Sequence, residues 1–334
     1  MKFDGNVWFT YLIYSLIAIV AFLGNAFVLY VLATRSSYLK TSCKIFICNL
    51  AITDLITSIM LIFSRYLYLP AMPGGFIGST IYCKIIWSAW IVFTLGYVSI
   101  YTCLALSIER WLAVTKPLAY RYIRPKRSVM AVVLVWMAGI TVNVTTLFRV
   151  NYDETKKKCV WRPLKFGNEE LPWLDFILQT VLPFSIIIVL YIHIIYVLRR
   201  RVVHHAIPGR LLTKVTKMTL AASCALIIGW LPSRISFMLS KFGYVNPGGV
   251  LHYFLVMFSL ANSCVNPFLY NVCSPKFRED CKQMFSYLFL TCKKQKPLEP
   301  ATNAVVIDTA SVNITLENRS ASSKWPKEEN VNSK

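Results

Sequence analysis

Charge is scarce in this chain, and acid is scarcer still. Charged residues make up 15% of its 334 residues, against about 25% in an average soluble domain. Only 15 residues are acidic, against 36 Lys and Arg. Histidine occurs at His193, His204, His205 and His252 alone, without zinc-like spacing. An enzyme working through clustered metal ligands, or through a nucleophile and base, finds no support there, and no catalytic residue is assigned. A cleavable leader is also not expected. About seven residues precede the first apolar run, which is too long for a signal h-region and reads as an anchor that stays in place. Neither a repeat of roughly 20–50 residues nor a pair of related halves with matching broken helices is apparent, which argues against a transporter.

What the chain has instead is apolar length. Hydrophobic residues make up 56% of it. Residues 5–34, 85–108, 128–148, 176–198 and 242–275 contain no Asp, Glu, Lys or Arg. Residues 45–64 are interrupted by Asp54 alone, and 218–240 by Arg234 alone. About 20 apolar residues cross a bilayer as a helix, so these runs predict an all-α membrane protein with seven transmembrane helices. Pro232 and Pro267 fall inside two of the runs. In a membrane bundle they read as kinks, because neighbouring groups satisfy the freed backbone.

The net charge of +21 could suggest nucleic acid, but its placement argues for a membrane orientation instead. With the N-terminus taken as outside, residues 34–44 carry three Lys or Arg, 110–128 six, 199–217 six and 276–334 ten. The inner segments then hold 25 of the 36 bases. Among the three inner loops, fifteen bases face one acid, Glu109. This is the positive-inside pattern, and it predicts a multi-pass cell-membrane protein with an extracellular N-terminus and a cytoplasmic C-terminus. Most of these charges need only set topology, although their density also suits an anionic cytosolic partner. Of ten cysteines, only Cys83 and Cys159 fall in outward segments. One bridge on the oxidising face is the natural inference.

The predicted organisation is a short extracellular N-terminus over 1–7, a transmembrane domain over 8–275, an amphipathic membrane-surface helix over 276–290 and a disordered cytoplasmic tail over 291–334. The eighth helix is expected from Phe277, Met284, Phe285 and Leu288 set against Lys276, Arg278 and Lys282. The tail is polar and rich in Ser, Asn and Lys. Residues 70–82 read as a first outer loop rich in Gly and Pro, and 149–172 as a long, charged second outer loop. The third inner loop, around 202–209, is short.

Ionisable groups inside a bilayer are costly and mark function by default. Asp54 lies mid-span, with Asn25, Ser99, Asn262, Ser263 and Asn266 at comparable depth in other helices. Asn262 and Asn266 are four apart and share a helix face. Such a cluster suits a small hard cation or a proton; a hydrogen-bonded network without an ion fits equally well. Glu109 and Arg110 sit where the third helix meets the cytoplasm, where an Arg often only snorkels to the interface.

These residues together resemble the rhodopsin-like (class A) family of G-protein-coupled receptors. Gly24-Asn25 matches the family's first helix, and Asn49-Leu50-Ala51-Ile52-Thr53-Asp54 its second. Glu109-Arg110-Trp111 is similar to the acidic-Arg-aromatic motif of the third. Trp136 marks the fourth, and Pro183 with Tyr191 the fifth. Trp230-Leu231-Pro232 marks the sixth, and Asn266-Pro267-Phe268-Leu269-Tyr270 the seventh. Each motif is weak alone, but one per helix in the right order is specific, and the match covers about 9–289.

The resemblance implies a receptor that carries an extracellular signal to a heterotrimeric G protein, with arrestin and receptor kinases as further partners at the Ser/Thr-containing tail and no cofactor beyond an allosteric sodium ion. Asp54, Ser99, Asn262, Ser263 and Asn266 would hold that sodium at rest. Arg110 would pair with Glu109, then meet Tyr191, Tyr270 and the G protein on activation. Trp230 would pivot beneath the ligand, with Pro232, Asn266 and Pro267 in the same switch. Leu118, after Pro117 in a basic loop, would plug into the partner.

Several positions depart from the pattern. The 27 positions between Cys83 and Arg110 exceed the usual spacing by two, which predicts a bulge near the top of the third helix. Leu226 and Gly229 replace the usual Phe and Cys. Leu212 stands where some members carry an acid, so no resting lock to the sixth helix is expected. Val92 stands where amine receptors carry Asp, and Leu260 where visual pigments carry the retinal Lys. The run around Asn262 is most similar to the neuropeptide branch, which implies a short peptide ligand, with a small acid or lipid as the alternative. The expected ligand contacts are Arg65, Arg149, Asp175, Gln179, Trp230, Arg234 and His252. Arg234 shares a face with Trp230 and suits a carboxylate or carbonyl group of the ligand; pairing with Asp175 is the equal alternative.

Overall fold

A backbone amide left unpaired in hydrocarbon is expensive, so long apolar runs satisfy their amides as helices. The computed structural model describes residues 7–34, 41–66, 75–162, 170–203, 210–246, 249–273, 277–284 and 286. Seven helical spans run Tyr11–Thr34, Thr41–Ser64, Gly75–Thr115, Pro125–Arg149, Glu170–Arg200, Leu212–Lys241 and Val250–Cys273. They are the first to seventh spans below, and together they make a multi-pass membrane protein.

The distribution of side chains suits a lipid solvent. Leu12, Leu134, Val189 and Phe254 are more than half exposed, while Asn25, Thr53, Asp54 and Thr102 are buried. In water that exposed apolar belt would be a liability; against acyl chains it costs nothing. Among the described residues, the interior is packed in three apolar layers, with a small fourth cluster around the disulfide. Val28, Ile47, Leu106 and Tyr270 lie toward the Arg110 end. Leu50, Tyr97, Phe184 and Trp230 form the middle. Tyr14, Leu61, Met257 and Leu260 belong to the third layer.

Close helix approach depends on small residues. A Cβ on Gly24 would lie 2.8 Å from Pro267 Cγ, and one on Gly139 would lie 2.6 Å from Val98 Cγ2. Pro232 and Pro267 sit inside continuous helices.

One expectation for the disulfide end needs correction. Residues 70–82 were expected as a loop, but Gly75–Tyr82 is helical and extends the third span. Gly75 takes φ +75, a left-handed turn that suits glycine. Beyond it the helix is held by tertiary contacts, with Ser79 buried and Phe76 packed on Tyr152 at 6.4 Å. The second loop contains an antiparallel hairpin, with β1 at Val150–Asp153 and β2 at Lys158–Trp161. Tyr152 faces Cys159 and Asn151 faces Val160. Asp153 Oδ1 accepts from the Thr155 hydroxyl and from the amides of Thr155 and Lys156, and closes the turn. The Thr155 hydroxyl and the Lys156 amide hold the Asp153 carboxyl below its ordinary range.

Residues 277–284 form the eighth helix. Phe277, Cys281 and Met284 turn into the bundle's core. Arg278 donates to the carbonyls of Asn271 and Val272 at the end of the seventh span, a favourable place for a cation. Burial pushes the Cys281 thiol up to about 11. Phe285, Leu288, Lys276, Cys292 and the tail over 291–334 lie outside the described residues, as do the N-terminal residues 1–6 and the loop residues 204–209.

Candidate functional site

The site runs through the bundle from the disulfide end to the Arg110 end. Cys83 is bonded to Cys159, with a Cα–Cα distance of 5.4 Å. The bond pins β2 to the third span. The two additional residues are absorbed directly below it. Cys83–Trp87 is a π-helical segment, and Ala89 takes φ 54, a left-handed conformation uncommon for a residue with a Cβ. Tight α-helix resumes at Trp90. Asn143 braces this break: its amide donates to Thr94 Oγ1 at 2.8 Å, and its own carbonyl accepts from Trp90 Nε1 at 3.0 Å.

Arg234 is buried in the sixth span and does not pair with Asp175. Asp175 instead lies 3.6 Å from Arg149 Nη2 and accepts from the Thr145 hydroxyl. Arg234 Nη2 donates to Gln179 Oε1, which also accepts from the Tyr97 hydroxyl at 2.7 Å. Tyr97 and Lys241 were missed in the sequence reading. Nothing in the sequence marks Tyr97, which depends on the π-helical segment above it for its facing. Lys241 is readable as seven residues beyond Arg234, on the same helix face. His252 is buried at the seventh span, with Nδ1 2.8 Å from Ser236 Oγ. The Arg65 side chain lies outside the described residues. Val92 and Leu260 are both buried and apolar, so neither an amine-binding acid nor a retinal lysine stands there.

Trp230 lies below Arg234, with its ring 6.1 Å from Tyr97. Deeper still, Asn266 Nδ2 donates to Asp54 Oδ2 at 2.8 Å, and Ser263 is a second side-chain partner of the same carboxylate. Ser99 and Asn262 are buried in the bundle interior. Among the described residues, no Lys or Arg pairs with Asp54. A buried carboxylate amid amide and hydroxyl oxygens is donor chemistry that suits a small hard cation. Asn25 donates to the Ala21 and Ser263 carbonyls and ties the first span to the seventh. Asn49 donates to Thr102 and accepts from Trp136 Nε1, joining the second, third and fourth spans.

At the other end, Arg110 forms a two-pronged pair with Glu109, and both side chains are 5% exposed. Fork-on-carboxylate geometry is the strong form of this contact. Tyr120, another residue missed from sequence, completes it. Arg110 Nη2 donates to the Tyr120 oxygen at 2.9 Å, and the Tyr120 hydroxyl donates to Glu109 Oε1. The guanidinium carbon lies 5.8 Å from the centre of the Tyr120 ring. Burial raises the Tyr120 hydroxyl's pKa, and the Glu109 carboxylate adds to the shift, so it remains a donor. The short helix Pro117–Arg121 places Tyr120 there and leaves Leu118 78% exposed. Leu212 packs in the apolar middle layer, and the ion pair of Arg110 is with its neighbour, not with the sixth span. Tyr191 is buried beside Ser107, Thr219 and Ser223, and Tyr270 is buried with its ring edge-on to Phe277.

Seven spans, a disulfide-pinned cover at one end and a guarded Arg at the other define a membrane receptor. The chain belongs to the 7 transmembrane receptor (rhodopsin family), whose model matches residues 24–270. That family consists of receptors, not enzymes. The chain is 28% identical to galanin receptor 2b of Danio rerio over 288 residues, 82% of this chain and 74% of the relative. It is 26% identical to galanin receptor 2a of the same organism over 315 residues, 90% of this chain and 85% of the relative. It is 25% identical to a GQ-coupled rhodopsin of Mizuhopecten yessoensis over 333 residues, 90% of this chain but 64% of that protein's length.

Proposed function

We propose that this receptor binds a short extracellular peptide at the disulfide end and activates a heterotrimeric G protein at the Arg110 end. The N-terminus lies outside and the C-terminus in the cytoplasm, as the positive-inside pattern requires. Similarity to two receptors of the peptide branch, both named for galanin, carries the peptide reading. The closed Glu109–Arg110–Tyr120 network supports a resting state whose opening frees Arg110 for the partner, with Leu118 as the apolar plug. Sodium held by Asp54, Ser99, Asn262, Ser263 and Asn266 favours that resting state, since a ligand shifts an equilibrium by its differential affinity. Peptide contacts are drawn from Arg149, Asp175, Gln179, Trp230, Arg234 and His252, with Arg65 beside them. A small acid or lipid is the second reading, favoured by the bases at the mouth of the bundle.

The test is nucleotide exchange in membranes that contain the chain and a promiscuous G protein, challenged with a synthetic peptide library. Activation by at least one peptide, absent from Arg110→Ala membranes, is expected. Exchange that no peptide raises, while a small organic acid does, would exclude the peptide reading.

A further inference from the structure

A small cavity opens between the fourth, fifth and sixth spans, lined by Arg149, Asp175, Phe176, Arg234, Phe237 and Lys241. Three cations and one carboxylate face it. The carboxylate is already engaged, since Asp175 is paired with Arg149 and bonded by Thr145. Arg234 reaches only a neutral acceptor. Gln179 Oε1 takes bonds from both Arg234 and Tyr97, while Gln179 Nε2 is committed to the Val142 carbonyl. Arg234 is 6% exposed, and its Nε has no hydrogen-bond partner among the described residues.

Both remaining cations lie against the Phe237 ring. The Arg234 guanidinium carbon lies 5.1 Å from the centre of the Phe237 ring, and Lys241 Nζ lies 4.7 Å from the same centre. Tyr97 supports Arg234 at 5.2 Å and Trp161 supports Lys241 at 5.1 Å. Ring faces attract cations but do not neutralise them. Among the described residues, neither Arg234 nor Lys241 has a carboxylate within ion-pair distance. Arg234 is buried without a carboxylate partner among the described residues, which is costly, and its orphaned Nε–H adds to that cost, while Lys241 lies at the exposed rim of the cavity. The lining suits an anion with more than one acceptor oxygen.

We infer that this cavity is a carboxylate subsite, in which a ligand carboxylate meets the Arg234 guanidinium and the Lys241 ammonium. The inference deepens the peptide-receptor reading and rests on it for the carrier of the group. The carboxylate is then either the peptide's C-terminus or an acidic side chain.

The experiment uses the full chain in cells with a promiscuous G protein, and a pooled library of synthetic peptides in three matched forms. One form has a free C-terminal acid, one a C-terminal amide, and one has Asp and Glu replaced by Asn and Gln. Arg234→Gln and Lys241→Gln are each expected to lower the potency of an activating peptide, on the order of 10- to 100-fold for a lost charge-assisted bond. Lys156→Gln, on the exposed hairpin turn, should shift it less than about twofold. The neutralised form of the same peptide should be weak on the wild type and no weaker on the variants, because partners in one contact do not add. Loss in the amide form assigns the C-terminus; loss only in the Asn/Gln form assigns the side chain.

A second measurement needs no agonist. The empty receptor's melting temperature should hold or rise in Arg234→Gln, since an uncompensated buried charge has been removed. A clear fall in melting temperature and surface level would make Arg234 a structural residue and overturn the subsite. Equal potency of acidic and neutralised peptides would overturn it too, while leaving the peptide reading intact. Small carboxylic acids that activate the wild type but not Arg234→Gln, with every peptide inactive, would keep the subsite and remove the peptide. Should no compound activate, the melting temperature decides alone.

Discussion

Gly96 and Trp230 occupy the same space: a Cβ on Gly96 would lie 2.1 Å from Trp230 Cη2 and 2.4 Å from Cζ2. The third span therefore has a notch into which the sixth span's indole is inserted, beside Tyr97. Gly96→Ala must push the indole aside or part the two helices. Overpacking of this kind costs about 1–3 kcal/mol, so the melting temperature of the purified receptor should fall. Trp230→Leu in the same background should recover part of it. A Gly96→Ala protein as stable as the wild type would mean that the notch is empty of consequence.

The hairpin is tied to the third span by Cys83 and Cys159. Cys83→Ser and Cys159→Ser should reduce surface expression to a similar degree, and the double variant should be no worse than either. Each loss is expected at about 2–5 kcal/mol of stability, the usual cost of a native bridge. Flow cytometry of an epitope-tagged receptor reads this directly, and strictly additive losses would contradict the pairing.

Asp54 is a buried carboxyl group whose described partners are Asn266 and Ser263. Replacing choline with sodium in the assay buffer should lower ligand-free nucleotide exchange in the wild type. Asp54→Asn keeps the size and the Asn266 contact but removes the charge, and its exchange should not respond to sodium. An undiminished sodium response in this variant would sink the assignment of Asp54, Ser99, Asn262, Ser263 and Asn266.

Tyr120 bonds both members of the Glu109–Arg110 pair. Tyr120→Phe keeps the ring over the guanidinium and deletes the hydroxyl. Each of the two neutral-to-charged bonds lost is worth about 1.5–3 kcal/mol. If part of that is specific to the resting state, ligand-free exchange should rise several-fold. Exchange equal to the wild type would show that the hydroxyl holds resting and active arrangements equally.

The partner face is tested by Arg110→Ala and Leu118→Asp. Arg110→Ala should abolish exchange and leave ligand binding largely intact. Leu118→Asp places a charge where a 78% exposed apolar side chain stands, and should reduce coupling without lowering surface expression. Full signalling by both variants would exclude this face.

The sequence by itself determined the seven spans, since the number of apolar runs and the requirement to satisfy amides in hydrocarbon leave no other outcome. It also determined the cysteine pair and the depth of Asp54. The length of the third span was not legible: 75–82 reads as a Gly-rich loop until Ser79 and Phe76 find the packing that makes it helix. The surplus of two residues before Arg110 was countable, but its resolution as a π-helical segment and a left-handed Ala89 was not. That choice belongs to Asn143, Trp90 and Thr94, which meet across two spans.

Side-chain partners were the least legible part. Arg234 was readable as a base facing the bundle, because periodicity assigns a face. Its partner was not, because Asp175 lies on another helix and its oxygens go to whichever cation the packing brings nearest. Tertiary structure gave Asp175 to Arg149 and left Arg234 with Gln179 and a buried Nε that has no partner among the described residues. Tyr120 entered the Arg110 site for the same reason. A short helix after Pro117 folds it back ten residues along the chain, and that contact exists only in three dimensions.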